Sequence, residues 1–563
     1  MKRLIIFIFI IFACVSFNLL LANFCNFDHF TDKYNILKFA NATNCLLNAE
    51  VVDSGAKVVH LVKSDHSGKE VSFASQLIEA NKTYVIHDDF VLEENVTIPA
   101  NCVLRFEGGS LSNGTLIGND TRLEGNLNGV FSNVTIDANG TWNVPYISTD
   151  YFVNISDSAT DETQRDRSKD NLIHNVLRMT SEAINNEVFI KGNYWVDVEG
   201  DVSNHIAIRA KSNTKYYIQG TIRMISHNYA KSSLIHLAGS HNVVITGGGS
   251  LYGDKLRHVY YDGNSYPDGY ISGFARNSAK PSGYNAHGSN HGIYASGKDI
   301  VLDSINIHDI TSDGLYINQA TNITIKNFSI NNARRVGLSV IDTDKLIVEN
   351  GCIDTVTGTA PEKGIDVEPN SGNKVDRASF RNIYITNVSV GFGVNNTNGD
   401  GCNNIIFDSI KVDNCCAGFN SVKSYNVAFR NCEIDAKGRG SKVYAEYEAL
   451  ACGASISIGS GIIIENCIIN FNVPYLKTGF DKTNESIIKN YEAYLTYDEN
   501  DPDVNHADVE KFKSYNSNAY VISNTNTNIT IRDNIIRTNV LFLRDREKAC
   551  KTEGNTVSCR YPF

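Results

Sequence analysis

The feature that most limits the fold is a short phrase that keeps returning from residue 291 onward. It reads His291-Gly-Ile-Tyr294, Asp313-Gly-Leu-Tyr316, Val336-Gly-Leu-Ser339, Lys363-Gly-Ile-Asp366, Val390-Gly-Phe-Gly393 and Ala417-Gly-Phe-Asn420. The glycines are spaced by 22, 23, 27, 27 and 27 residues. Between them lie second phrases of alternating apolar residues, such as Asn322-Ile-Thr-Ile-Lys-Asn-Phe-Ser-Ile330 and Asn426-Val-Ala-Phe-Arg-Asn-Cys-Glu-Ile434. Alternation with period 2, punctuated by Asn, Gly and Asp, predicts about three short strands per repeat. No segment of helical period separates them, which excludes βαβ units, and the leucine frame of leucine-rich repeats is missing. A coil of three strands per turn stacks its turns ~4.8 Å apart and leaves a sheet edge only at each end. The chain is therefore expected to be all-β, a parallel β-helix, with Asn residues taking left-handed conformations at its turns.

The coil is expected to begin before residue 291. His241–Gly253 reads as one turn and Ile206–Ile225 as another. Leu172, Ile173, Val176, Leu177, Ala183 and Ile184 recur at helical spacing and predict an amphipathic helix over 162–186 that caps the open end. Residues 81–145 carry short β-repeats of their own. The expected organisation is a signal at 1–22, a small N-terminal β-rich module at 23–150, and the β-helix at 151–560 with excursions at 254–290 and 471–518.

Acidic residues outnumber basic ones by 62 to 51, giving a formal net charge of −11. That balance argues against nucleic acid as a partner, because phosphate binding needs a basic face. Lys2 and Arg3 precede the apolar run Leu4–Ala13, the pattern of an export signal. Cys14 offers a lipidation site, and cleavage after Ala22 is the other option. The expected location is secreted or cell-surface, with membrane contact only through an N-terminal lipid or anchor. Thirteen cysteines in an exported chain suggest disulfides, Cys25 with Cys45 and Cys550 with Cys559 being the candidates. Cys432 and Cys467 instead occupy a position filled elsewhere by Phe328 or Ile383, so they read as interior residues. No Cys/His spacing matches a zinc site.

The phrases Gly249-Ser-Leu-Tyr-Gly-Asp254, Ser312-Asp-Gly-Leu-Tyr-Ile317, Asn332-Ala-Arg-Arg-Val-Gly-Leu-Ser339 and Gly358-Thr-Ala-Pro-Glu-Lys-Gly-Ile-Asp-Val-Glu-Pro-Asn370 resemble the right-handed β-helix repeat proteins of the pectate-lyase-like superfamily. Phe106-Glu-Gly-Gly-Ser and Gly140-Thr-Trp-Asn-Val-Pro resemble modules on similar proteins of Bacteroides-type gut bacteria. The resemblance covers roughly residues 80–470. It implies a right-handed coil and a carbohydrate partner, through lyase, hydrolase or epimerase chemistry or through binding alone. Fold does not give function. Thr311-Ser-Asp-Gly is similar to the Asn-Thr-Asp-Gly phrase of polygalacturonase-type glycosidases, whose Asp is catalytic. The Asn is absent here, and the other phrases of that family are not found in order.

In a strand of the type Gly-Ile-x-Ile-x the large apolar residues point inward and their neighbours outward. Tyr294, Tyr316, Ser339, Asp366 and Glu368 should then share one exposed face, fed by turns carrying His291, Asp313, Arg334, Arg335 and Lys363. Asp366 and Glu368, ~6.6 Å apart along the backbone, are the sharpest pair. Beside Arg334 and Arg335 they suit acid/base work on a glycosidic bond, or a bridging cation such as calcium. The candidate catalytic residues are Asp366, Glu368, Arg335, Asp313 and His291. Arg334, Tyr294, Tyr316, Asp254 and His258 are expected to bind substrate, the last two from a 254–290 loop walling the groove. His287 and His291 flank glycines, which speaks against a metal pair. The function expected is a polysaccharide lyase or glycoside hydrolase acting on a polysaccharide or oligosaccharide. The alternative is a non-catalytic glycan-binding surface protein or adhesin.

Overall fold

A computed structural model describes residues 58–93, 95–198, 205–229, 231–259, 289–359, 361–436, 452–471, 520–538, 541–545 and 550–559. The expected signal, Cys25, Cys45, the side chain of Cys559, His287, most of the 254–290 excursion and all but the first residue of the 471–518 excursion lie outside these residues.

Strand pairing follows a rule of three. Asn186–Ile190 pairs with Thr214–Ile218, Asn193–Val196 with Thr221–Met224, and His205–Arg209 with Lys231–His236, each in parallel. Each strand thus meets its counterpart one turn later, three strands on. Parallel crossovers of this kind wind right-handed. The chain is a right-handed parallel β-helix with three strands per turn.

The recurring phrase sets the register. Ile293, Leu315, Leu338, Ile365 and Phe392 pair in succession and are wholly buried, the interior ladder expected from the alternation. A Cβ on Gly337 would lie 2.7 Å from the carbonyl oxygen of Gly364, and one on Gly364 would lie 2.5 Å from that of Gly391. The glycine column recurs because adjacent turns approach too closely there for any side chain. Asn322, Asn327, Asn350, Asn382, Asn426 and Asn431 take positive φ at the turns, and Asn382 Nδ2 donates to Asn350 Oδ1 at 2.8 Å. Cys432 and Cys467 are buried in the coil, as their shared position with Phe328 and Ile383 implies, and Cys402 and Cys415 are buried as well.

A second outward column is charged and alternates in sign. Asp303, Lys326, Glu349, Arg381 and Asp408 pair in turn, and Arg430, Glu465, Arg532 and Glu553 continue the pattern. Cross-strand neighbours of opposite sign support the register and leave this face electrically balanced.

The stretch expected to be a module of its own is built of parallel strands as well. Val58–His60, Thr83–Ile86, Val103–Phe106 and Arg122–Gly125 form one sheet, and Phe90–Val91, Leu111–Ile117, Phe131–Ile136 and Phe152–Val153 another. Tyr146–Ser148 then pairs with Asn186–Ile190 of the main coil. One apolar core runs from Leu61 to Ile536 without a break at residue 150. The helix expected over 162–186 is shorter, Ile173–Arg178, preceded by the 3₁₀ turns Glu162–Gln164 and Arg167–Lys169. The Asp161 and Asp166 side chains accept from the N–H groups of Thr163 and Ser168, each capping a separate short turn rather than one long helix. Ile173, Val176 and Leu177 are buried, and Asn175 Oδ1 accepts the Ile136 N–H at 3.0 Å, satisfying a strand donor. No helix among the described residues is long and apolar enough to cross a membrane.

Candidate functional site

The outward column beside the interior ladder reads His236, Tyr294, Tyr316, Ser339, Asp366, Gly393 and Asn420 on consecutive turns. The expected alignment of Tyr316, Ser339 and Asp366 is therefore present. The expected exposure is not. Ser339 and Asp366 are only 1% and 3% exposed, and Asp313 is 0% exposed. Charges withdrawn from water must be paired, and these are. Lys363 Nζ donates to Asp366 Oδ1 at 2.7 Å. Arg335 Nη1 donates to both Asp313 oxygens at 3.2 and 3.0 Å. Its Nη2 lies 4.0 Å from Glu368 Oε2.

Glu368 is the most accessible member of this cluster, its side chain 28% exposed. Its carboxyl is pushed up to about 7, first by burial and then by the negative charge of Asp366, against the pull of Lys363 and Arg335. Asn395 Nδ2 donates to Glu368 Oε1 at 2.9 Å. The cluster thus holds one carboxyl that carries a proton near neutrality, two turns from Asp313, whose salt bridge to Arg335 links the rungs. The Lys363 ammonium brings Asp366 the positive charge that a bridging cation, the alternative to acid/base work, would have supplied.

His291 is stacked on Tyr316, ring centroids 4.2 Å apart, and Tyr294 stacks on both Tyr316 and His236. His291 Nδ1 is 3.8 Å from Asp313 Oδ2 and makes no hydrogen bond among the described residues. Burial, then the nearby Arg335 charge, pushes the His291 pKa down to about 3. Burial and Arg209 hold His236 at about 4. Both are neutral imidazoles at pH 7. Burial and the Asp313 charge raise the Tyr316 phenol above its ordinary value. A cleft of 210 Å³ adjoins this stack, lined by Lys231, Ser233, His236, His291, Tyr294 and Gln319 among others.

Neutral burial of these histidines has a consequence for acid stability. The unfolded values lie near 6.5, above the folded ones. Their contribution is whole above about 6.5 and is lost as pH falls toward 4, where the unfolded chain binds protons that the folded chain refuses. Each histidine steepens the loss by up to about 1.4 kcal/mol per pH unit. Glu368 opposes this, so the difference between the wild type and His291→Asn isolates the effect. Denaturant unfolding from pH 7 to 5 should show a shallower decline in the variant, and parallel curves would refute the neutral burial.

Three expected site residues are placed elsewhere. Asp254 and His258, expected on a groove wall, are inside the protein, each 1% exposed. Asp254 Oδ1 accepts from the Thr311 hydroxyl at 2.6 Å and Oδ2 from His258 Nδ1 at 2.7 Å. Burial pushes the Asp254 carboxyl up, but His227, His258 and Thr311 more than reverse this and hold it well below the usual range. Arg334 is fully buried against Gly358, so it cannot face a sugar in this arrangement. Arg335 was expected at a turn feeding an exposed face, and its side chain is 22% exposed. Its partner Asp313 lies inside, and removing one member of such a pair strands the other. Arg335→Ala should therefore lower stability by about 3 kcal/mol. Calorimetry decides this, an unchanged Tm being the contrary outcome.

His227, Asp254 and His258 bring their donor atoms within 4.8 Å of one another, which invites a metal. The hydrogen bonding does not fit one. His227 Nδ1 accepts the Tyr229 N–H at 3.2 Å, so the neutral ring carries its proton on Nε2, the atom that faces Asp254 at 3.5 Å. A ligating histidine instead donates from its outer nitrogen. The trio is a hydrogen-bonded anchor for the segment that follows Tyr252. Sequence reading missed His236 as a site member and gave no role to Lys363, which it placed at a turn feeding this face, or to Asn395, although the 27-residue spacing places Asn395 beside Glu368.

The family model for the right-handed β-helix region matches residues 273–434. An uncharacterized protein of Bacillus subtilis, YclG, is 26% identical over 239 residues, covering 38% of each chain. The chain thus spans little more than a third of that relative's length. Among solved structures, the A-module of the Azotobacter vinelandii mannuronan C-5 epimerase AlgE6 superposes with a TM-score of 0.41 at 10% identity, over 66% of this chain and 90% of the module. An exopolygalacturonase of Thermotoga maritima gives 0.37 at 13% identity, over 66% and 84%. The tailspike of E. coli bacteriophage HK620, solved with a pentasaccharide, gives 0.41 at 8% identity, over 66% and 60%. Likenesses at this level leave function to the chain's own site.

Proposed function

We propose that this chain acts on a polysaccharide by acid/base hydrolysis along the Tyr294–Asp366 face. One observation carries the reading: Glu368 is held at about 7 beside an Asp366 clamped by Lys363. A carboxyl that keeps its proton near neutrality beside one that is ion-paired is the combination that glycosidic cleavage uses. Glu368 gives its proton to the leaving oxygen as the C1–O bond breaks. Water adds its hydroxyl to C1, and Asp366 takes the remaining proton. The cleft lies three turns before the carboxyls, and there Tyr294, Lys231 and Gln319 would contact a neighbouring unit of the same sugar chain. Lyase chemistry is less well supported. Arg335 is engaged by Asp313 rather than presented to a uronate, and Tyr316 is pushed away from the ionised form that would abstract a proton.

The test is mass spectrometry of products from a panel of plant, algal and host glycans. Hydrolytic fragments are expected, and unsaturated products would replace this reading with a lyase. Binding without any product would favour a glycan-binding surface protein, a reading to which the low exposure of Asp313 and Asp366 gives some support. We also propose export through the N-terminal signal, with Cys14 as a lipid site. On that proposal Cys14→Ala releases the protein from the membrane fraction of its host, and unchanged fractionation contradicts it.

A further inference from the structure

Glu368 has two oxygens, and only one can hold the proton it gives away. Asn395 lies beside it on the next turn, because Val367 pairs with Val394. The backbone N–H of Thr397 points at Asn395 Oδ1 at 3.2 Å, and the Thr397 hydroxyl donates to the same atom. A backbone N–H can only donate. The Asn395 amide therefore cannot turn over without setting donor against donor, and its Nδ2 is committed to Glu368 Oε1 at 2.9 Å. Oε1 accepts that bond whether or not Glu368 is ionised. The proton is left with Oε2; the charge of Asp366 and its hydrogen bond to Glu368 favour the protonated form, whereas Arg335 Nη2, 4.0 Å from Oε2, disfavours it.

We infer that Asn395, oriented by Thr397, is a positioning residue that fixes the transferable proton of Glu368 on Oε2. The inference rests on Glu368 acting as the acid in the proposed hydrolysis. A neutral amide suits the task. It donates to the carboxylate without adding charge, whereas an aspartate there would compete for the proton. Because a donor to the ionised form favours that form, Asn395 also restrains a carboxyl that burial pushes up.

The test needs no substrate at first. The carboxyl C=O band of Glu368, identified by its absence in Glu368→Gln, is titrated by infrared difference spectroscopy on the full chain. Asn395→Ala should move its midpoint up by about one pH unit, the effect of losing one charge-assisted donor. Thr397→Val keeps the contact with Glu368 but loosens the amide, and should move it the same way by less. With a substrate from the glycan panel, the alkaline limb of kcat should follow the infrared midpoint, with kcat lower by about tenfold and KM unchanged. Equal midpoints in the wild type and both variants would overturn the inference. Failure of every glycan to turn over would remove the acid role of Glu368 while the infrared titration still decided whether the Asn395 amide holds its carboxyl.

Discussion

Glu368→Gln should reduce turnover by at least about 100-fold on any polysaccharide the protein cleaves, because the amide keeps the shape of the carboxyl but has no proton to give. The same substitution should raise stability at pH 8. Glu368 is held at about 7, above its value of about 4.5 in an unfolded chain. A group raised in this way contributes stability below the unfolded value and loses it as pH rises through the folded one. At pH 8 the wild type therefore keeps an unfavourable ionised carboxylate in a partly dry site, and the glutamine does not. The gain is on the order of 1–2 kcal/mol, reduced from the full shift because part of the side chain meets water. At pH 4 the two proteins should be nearly equal. Loss of activity with higher alkaline stability is the signature of a residue kept for chemistry. Retained activity would end the acid role. Lower stability at pH 8 would make Glu368 part of the scaffold.

Ile365→Asn should have the largest effect on folding. Ile365 sits wholly buried between Leu338 and Phe392 in the interior ladder. The substitution removes apolar contacts worth about 2–4 kcal/mol and leaves an amide without a partner, costing roughly another 1–3 kcal/mol. A total near 5 kcal/mol is comparable to the stability of many domains. Urea titration should show a soluble fraction that unfolds at a much lower midpoint, or no folded protein at all. A midpoint close to wild type would mean that the ladder register is wrong. The companion change Ser339→Ala, on the outward side of the previous turn, should be far milder because it removes one small hydroxyl.

The repeat alone determined most of this fold. Gly-Ile-x-Ile spacing fixes which residues point inward, since strand alternation admits only two faces and a shift of one residue would expose every apolar side chain. That is why the ladder from Ile293 to Phe392 and the alignment of Tyr316, Ser339 and Asp366 were legible before any coordinates. The interior place of Cys432 and Cys467 was legible for the same reason. Local periodicity was a poorer guide where capping intervened. The helix expected over 162–186 is broken by Asp161 and Asp166, whose side chains close short turns of their own.

What the tertiary structure decided is depth and partnership. Alternation says that Asp313 and Asp366 point away from the ladder, but not that they lie beneath their own cations. That depends on Arg335, one turn after Asp313, and on Lys363, three residues before Asp366, both folding back over the face. Asp254 and His258 look like loop residues in the sequence, yet Thr311 and His227 draw them inside. The proton on Glu368 is likewise a property of the assembled site. It arises because burial and the Asp366 charge raise the carboxyl while Asn395, 27 residues further on, holds one of its oxygens. Periodicity in a chain records the direction of a side chain; its desolvation and its charge state are set by neighbours one turn away, and only folding brings those together.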